Sequence, residues 1–278
     1  MKLKKVYIEI TNACNLSCSF CIQKHEQKRY LTLEQLEHIL IQVKPITNYI
    51  YLHILGEPLS HPYLDEILCL TDRYEFYVQI TTNGTLLNKN LPILLNHTIR
   101  QVNISVHSFS QQSQKVQETY LQDVLECGDR LSEKSYISYR LWCMNEQKLD
   151  QEATAIFHAI LNHYQISKEE VFSHRNTLAK NCFISFDDVF EWPSLNHVFV
   201  SKEGTCRGLR DMIGILSNGD VVPCCLDAYS GCKLGNIFVN DLEEILMSEK
   251  VTAMIQGFQN HQLIEPLCQR CQYSIRFK

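Results

Sequence analysis

The chain predicts an α/β fold: a partial (β/α)6 barrel of parallel strands with a small cysteine-rich C-terminal extension. Three observations predict it. Short apolar runs alternate with helical-period segments six times between residues 6 and 186, the pattern of parallel strands joined by right-handed crossovers. The segments most able to carry chemistry all fall just after a strand, where parallel α/β architectures place their ligands. Finally, six of the thirteen cysteines crowd into residues 206–271, behind the last alternation. The boundary is expected near residue 200, with a barrel over 1–200 and the extension over 201–278.

Taken in order, Val6-Tyr7-Ile8-Glu9-Ile10 reads as the first strand. Leu33, Leu36, Ile39, Leu40 and Val43 then recur at helical spacing, with Thr32 placed to cap the helix. "YIYLHIL" (49–55) reads as a buried strand, followed by a helix over 63–73. "FYVQITT" (76–82) is the third strand, with a helix over 86–96. "RQVNISVHS" (100–108) is the fourth, with a helix over 114–131, and "YISYRLW" (136–142) the fifth, with a helix over 151–164. "CFISF" (182–186) supplies the sixth.

At 278 residues, 45% apolar and 21% charged, the composition is that of a globular protein with a sizeable core. A net charge of −5 and a pI near 6.1, without a dense basic run, argue against nucleic acid as partner. The basic start MKLKK leads into a short apolar stretch that contains Glu9, a poor signal peptide, and no run reaches membrane-spanning length. A cytoplasmic protein is expected, and in that compartment clustered cysteines point to metal rather than disulfides.

The first cluster is "NACNLSCSFC" (12–21), directly after the first strand. A disulfide cannot use three thiols, and a closed zinc site wants four. Cys14, Cys18 and Cys21 therefore suit a metal group that keeps one position open. Three further strand-end loops share that rim: "GEPLSHP" (56–62), "TTNGT" (81–85) and "SVHS" (105–108).

Cys14-x3-Cys18-x2-Cys21 with Gly56-Glu57-Pro58 resembles the radical S-adenosylmethionine (radical SAM) enzymes, and the resemblance covers roughly residues 3 to 190. It implies that the three thiolates hold three irons of a 4Fe-4S cluster and leave the fourth iron for S-adenosylmethionine. One electron would then cleave the sulfonium to methionine and a 5′-deoxyadenosyl radical, which takes a hydrogen atom from substrate. Following the family, Gly56, Glu57 and Pro58 hold the methionine amino group. Thr82, Asn83 and Ser105 contact the rest of the cofactor, and Phe20 packs near the adenine. The chain departs from the family at Leu55, where a first Gly is usual, and at Gln117, where relatives often carry Arg.

The extension contains Cys206, Gly219-x4-Cys224, Cys225, Cys232 and Cys268-x2-Cys271. Spacing alone leaves a four-cysteine zinc site and an iron–sulfur site equally open. The pattern resembles the SPASM/twitch extension behind radical SAM barrels. That implies one auxiliary 4Fe-4S cluster on Cys206, Cys224, Cys268 and Cys271, with Cys225 and Cys232 left free. Cys224 is preferred to Cys225 because it keeps the Gly-x4-Cys spacing, and adjacent strand residues face opposite ways.

Cys69, Cys127 and Cys143 read as small buried hydrophobes, and no two His have metal spacing. Cys182, at the start of the sixth strand, is the one candidate catalytic residue, a thiol able to return a hydrogen atom to a substrate radical, set against core packing as the commoner role of such a cysteine. Arg140 and Trp192 are candidate barrel-lining substrate contacts, while Arg207 and Arg210 follow Cys206 closely. The resemblance implies a radical SAM oxidoreductase or maturase acting on a peptide, a protein side chain or a small molecule, with flavodoxin or ferredoxin as electron donor. The competing classes are a zinc-stabilised binding module without activity and a radical SAM enzyme acting on tRNA or other RNA.

Overall fold

The structure, a computed structural model, describes residues 1–22, 27–112, 114–146, 148–189 and 191–277. A central run of parallel strands carries the chain: β1 (Lys5–Ile8), β2 (Tyr49–Tyr51), β3 (Tyr77–Thr82), β4 (Ile99–Ile104), β5 (Tyr136–Met144) and β7 (Cys182–Asp188). Each of these pairs in parallel with the next in that order. Helices α1 (Leu33–Val43), α2 (Leu64–Arg73), α3 (Leu87–Asn96), α4 (Gln114–Ser132) and α5 (Gln151–Tyr164) form the crossovers. The six expected strands and five expected helices are therefore all present. Thr32 caps α1 through a reciprocal capping box with Gln35.

Residue parity explains how the barrel is assembled. Val6, Ile8, Ile50, Leu52, Val78, Ile80, Val102, Ile104, Ile137 and Leu141 face the helices and are wholly buried with Leu36, Ile39, Ile67 and Leu68. Their odd-numbered neighbours Lys5, Tyr51, His53, Thr81 and, on β5, the even-numbered Arg140 and Trp142 face the other way and keep partial exposure. The expectation of a buried strand at "YIYLHIL" holds for one face: Ile50 and Leu52 are core, while Tyr51 and His53 on the other face are only partly buried and line a polar and aromatic lumen.

Two additions lay outside the expected scheme. A short helix α6 (Lys168–Ser173) leads into β6 (Thr177–Ala179), which pairs antiparallel to β7 at one edge. At the other edge the extension joins the barrel sheet. Its strand β8 (Met212–Ile215) runs parallel to β1, from Lys5 opposite Met212 to Ile8 opposite Ile215. It then turns antiparallel into β9 (Asp220–Val222) and β10 (Gly235–Asn236). Helices α7 (Leu242–Leu246) and α8 (Glu249–Gln259) complete the extension.

Candidate active site

The cysteine loop and the Gly-Glu-Pro loop are in contact because a glycine lets them touch. Gly56 has φ +76°, and a Cβ there would lie 2.3 Å from the Thr11 carbonyl oxygen and 2.8 Å from that of Ala13. The Glu57 amide donates to the Ala13 carbonyl at 2.8 Å. The loop after β2 thus seats directly on the entry to Cys14.

Glu57 is buried, and its carboxylate is fully engaged by the chain itself. Oε1 accepts from the Leu59 amide at 3.0 Å and the Thr82 hydroxyl at 2.7 Å, and Oε2 accepts from the Asn83 amide at 2.7 Å. Burial pushes its carboxyl up to about 7, against the pull of those hydrogen bonds. Pro58 starts the buried turn that Glu57 caps. Glu57 and Thr82 therefore lock two strand ends together, and Glu57's backbone, rather than its carboxylate, is what remains to face a ligand.

Asn83 continues the chain of contacts toward the thiols. Its side-chain amide donates to the Asn15 side chain at 2.9 Å and reaches Cys14 Sγ at 3.8 Å. Phe20 packs on His107 with ring centroids 5.0 Å apart, so the cysteine loop also touches the end of β4. Ser105, half-buried at that strand end, begins the turn holding His107 and makes no side-chain hydrogen bond within it. Gln117 donates to the Phe109 and Gln112 carbonyls at 3.2 and 3.1 Å, so it braces the loop rather than replacing the family's Arg in the pocket.

The three thiols are half-buried and electrostatically coupled. Burial, reinforced by Cys14 and Cys21, pushes Cys18 up to about 12; burial and Cys14 push Cys21 up to about 11. Three thiolates this close are unfavourable without a cation among them, which is the environment an iron cluster supplies. The Leu16 amide already points at Cys14 Sγ, at 3.4 Å, as a donor to sulfur charge. The donor set fits the cluster.

Beside this loop opens a cavity of about 380 Å³, within the range of small-molecule sites, lined in part by Cys14, Cys21, Gly56, Glu9, Ser217 and Arg29. Glu9 is a residue whose part sequence reasoning missed. One of its oxygens accepts from the Leu55 amide at 3.1 Å, the other from the Ser217 amide and hydroxyl at 3.2 and 2.7 Å. It fastens the Gly-Glu-Pro loop to the extension; its signal was an acid at an inward position of an alternating strand.

Within the extension, the thiols lie near one another but differ in their other surroundings. Burial raises the Cys224 thiol, with Cys206, Cys225 and Cys268 as nearby contributors; Cys271 is likewise raised by burial and by Cys206. The Gly208 amide donates toward Cys206 Sγ at 3.4 Å, repeating the arrangement at Cys14. Cys206, Cys224, Cys268 and Cys271 thus share one neighbourhood, which Cys225 adjoins through Cys224 and Cys232 through Cys268, a thiol set that fits an iron–sulfur cluster. Cys225 instead sits against the Tyr7 hydroxyl on the lumen side. Cys232 adjoins Cys268 but is wholly buried in the apolar core, its sulfur 3.7 Å from Met254 Sδ.

Of the two roles weighed for Cys182, the structure supports core packing and removes the catalytic one. It lies on the helix-facing side of β7, wholly buried, bonded to Tyr164 and Ser132. Residue parity puts it one position out of register with the lumen. Of the other cysteines, Cys127 is buried as expected, Cys143 is half-buried and Cys69 is exposed.

A half barrel with three thiols over its C-terminal rim and four more gathered in a fused extension defines an iron–sulfur enzyme class. Residues 8–157, over half the chain, match the Radical SAM superfamily, and the chain belongs to it. Residues 206–272 match the SPASM iron-sulfur cluster-binding domain. Membership brings S-adenosylmethionine and a 4Fe-4S cluster as cofactors, with auxiliary iron–sulfur in the extension. A GTP 3′,8-cyclase of Aquifex aeolicus is 31% identical over 117 residues, 39% of this chain and 36% of that protein. A tungsten-containing aldehyde ferredoxin oxidoreductase cofactor-modifying protein of Pyrococcus furiosus is 31% identical over 93 residues, 32% of this chain and 26% of that protein. The chain thus spans about a third of the length of such curated relatives. Among solved structures, Streptococcus suis SuiB matches all of this chain and 75% of its own (TM-score 0.65, 18% identity). BtrN in complex with AdoMet and 2-DOIA matches 98% of this chain and 94% of its own (TM-score 0.59, 17% identity). Among the described residues no helix is long and apolar enough to cross a membrane.

Proposed function

We propose that this protein is a peptide-modifying radical SAM enzyme of the cytoplasm, fed electrons by flavodoxin or ferredoxin, with one auxiliary 4Fe-4S cluster. The observation that supports the reading is the nearness of Cys206, Cys224, Cys268 and Cys271 to one another, while Cys225 is also engaged by Tyr7 and Cys232 lies in the apolar core against Met254. Cys14, Cys18 and Cys21 hold the first cluster, and Cys206, Cys224, Cys268 and Cys271 the second. When bound, the first cluster and S-adenosylmethionine supply the radical that takes hydrogen from substrate.

The chain's own residues bind and orient. Gly56, Glu57 and Pro58 offer backbone to the methionine amino group, in a loop that the Glu57 carboxylate fixes to Thr82 and Asn83. Asn83 and Ser105 present polar groups along the same rim, and Phe20, packed at a tilt against His107, supplies an aromatic face for the adenine. Cys206, Cys224, Cys268 and Cys271 would hold the second cluster with no position left open, and it would supply electron transfer or substrate positioning. A peptide substrate is supported by SuiB, which was solved bound to the precursor peptide SuiA and matches this chain from end to end. The cyclase similarity, 117 residues long, is too short to include both cysteine groups. Reconstituted without oxygen and reduced, the protein should form 5′-deoxyadenosine, and Cys18→Ala should abolish it. Incubation with a short peptide encoded beside the gene should change that peptide's mass. Turnover of GTP, with every such peptide untouched, would replace this reading with the cyclase one.

A further inference from the structure

The lumen of the partial barrel holds two cations, Arg140 and Lys5, that form no ion pair among the described residues; the acid that acts on Lys5, Asp211, is paired with Lys4 at 3.1 Å. Arg140 lies over the Trp142 ring at 4.3 Å, and Lys5 Nζ over the rings of Tyr51 and Tyr7 at 4.7 and 5.2 Å. The two acids on lumen-facing positions are otherwise engaged: Glu9 by Leu55 and Ser217, and Asp187 by Arg276 at 2.7 and 2.9 Å. Burial disfavours both charges, Arg140 and Lys5 alike being shifted down by desolvation. Buried charge without a counter-ion is costly, and a fold retains it where a ligand offsets the cost.

His53 gives a second, independent indication. Its ring packs against Tyr7 at 5.4 Å and Tyr51 at 5.9 Å, inside the same lumen. Nε2 meets the Thr81 hydroxyl at 3.1 Å, whereas Nδ1 is buried with no hydrogen-bond partner. The direction of that bond follows the tautomer; in the one with Nε2 accepting from Thr81, Nδ1 carries the proton and is an unused donor that an anion would select. The wall is also open to solvent: Lys5, Tyr51, His53, Thr81, Arg140, Trp142 and Ser185 are only partly buried, in contrast to their outward neighbours.

We propose that this lumen is an anion-recognition site, in which Arg140, Lys5 and the His53 Nδ1–H hold a carboxylate or phosphate group of the substrate. Calling that anion part of the substrate rests on the radical-enzyme reading; the existence of the site does not. The guanidinium fork suits a planar or tetrahedral oxyanion, and the Trp142 ring, held by its own bond to Ser185 at 3.0 Å, fixes the plane in which Arg140 lies. Balancing the auxiliary cluster is a different task with its own cations. Arg207 and Arg210 are the charges that favour the Cys206 thiolate, whereas Arg140 acts chiefly on Tyr7, Tyr51 and Cys225, the thiol facing the lumen.

Calorimetric titration of the iron-loaded protein tests the proposal with three probes: inorganic phosphate, glutarate and the neutral glutaramide. At least one anion should saturate one site per chain, and glutaramide should not. Saturation by phosphate alone assigns a phosphoryl group; saturation by glutarate alone assigns a carboxylate. Arg140→Gln should weaken the anion at least about tenfold, as loss of one partner of a buried charged pair does, with Arg140→Lys weakened less. Iron content and visible spectrum should be unchanged in both variants. Failure of both anions to saturate, equal binding of glutaramide, or undiminished binding by Arg140→Gln would overturn the site. Formation of 5′-deoxyadenosine by the wild type is read separately: its absence would remove the radical reading and leave the titration to decide on the anion.

Discussion

Replacing Glu57 with Gln isolates what the buried carboxylate does. Three donors converge on it, two on Oε1 and one on Oε2. The amide can keep its oxygen toward Leu59 and Thr82, but its NH₂ then faces the Asn83 N–H, donor against donor. One buried donor loses its partner, a cost of about 1–3 kcal/mol. For a chain of this size that lowers the thermal midpoint by roughly 2–4 °C per kcal/mol. The pH dependence carries the sharper signature. Glu57's folded value of about 7 stands above its ordinary 4.5. Its neutral form therefore favours the native state, a contribution fully present below pH 4.5 and lost as pH rises through 7. At 1.36 kcal/mol per unit, the 2.5-unit difference is worth roughly 3 kcal/mol. The wild type should be more stable than Glu57→Gln at pH 5, and the gap should shrink by about that amount at pH 8, read by thermal unfolding of the loaded protein under anaerobic conditions. Parallel pH profiles for the two proteins would refute the assignment of that titration to Glu57.

Gly56→Ala should push the Gly-Glu-Pro loop off the cysteine loop, since its Cβ meets two carbonyl oxygens at 2.3 and 2.8 Å. S-adenosylmethionine binding measured by equilibrium dialysis should fall while the auxiliary iron stays. In a variant lacking Cys14, Cys18 and Cys21, about four irons per chain should remain. Adding Cys224→Ala should remove them, and adding Cys225→Ala or Cys232→Ala should not; iron assay decides. With a net charge of −5, the protein should bind RNA weakly at physiological salt. Tight tRNA binding with a steep salt slope would reassign the partner.

Much of this was legible in the sequence because it is local. Three thiols within eight residues, a capped amphipathic helix after Thr32 and the six strand–helix alternations are all short-range patterns. The lumen was present as well: "KVYIEI", "YIYLHI" and "YISYRLW" alternate polar or aromatic with aliphatic residues. Arg140 reads from its place in a strand as a candidate lining residue, whereas taking "YIYLHIL" simply as a buried strand passes over His53. The same parity would have turned Cys182 outward. What no local pattern encodes is the pairing of Glu57 with residues 25 and 26 positions on, or of β1 with a four-residue strand some 200 positions away. Those depend on which surfaces meet after collapse.

The parallel ladder between β1 and β8 has a consequence for how the chain can be divided. Cutting after residue 200 would leave β1 with one neighbour instead of two and a row of unpaired amides and carbonyls along its open side. Glu9 would lose its two Ser217 hydrogen bonds at the same stroke, leaving a carboxylate in the cavity wall with only the Leu55 amide as partner. A bare edge of that kind recruits strands from other molecules, so the barrel segment produced alone should aggregate. The two iron-binding regions are halves of one sheet, and whatever loosens the seam between them disturbs both.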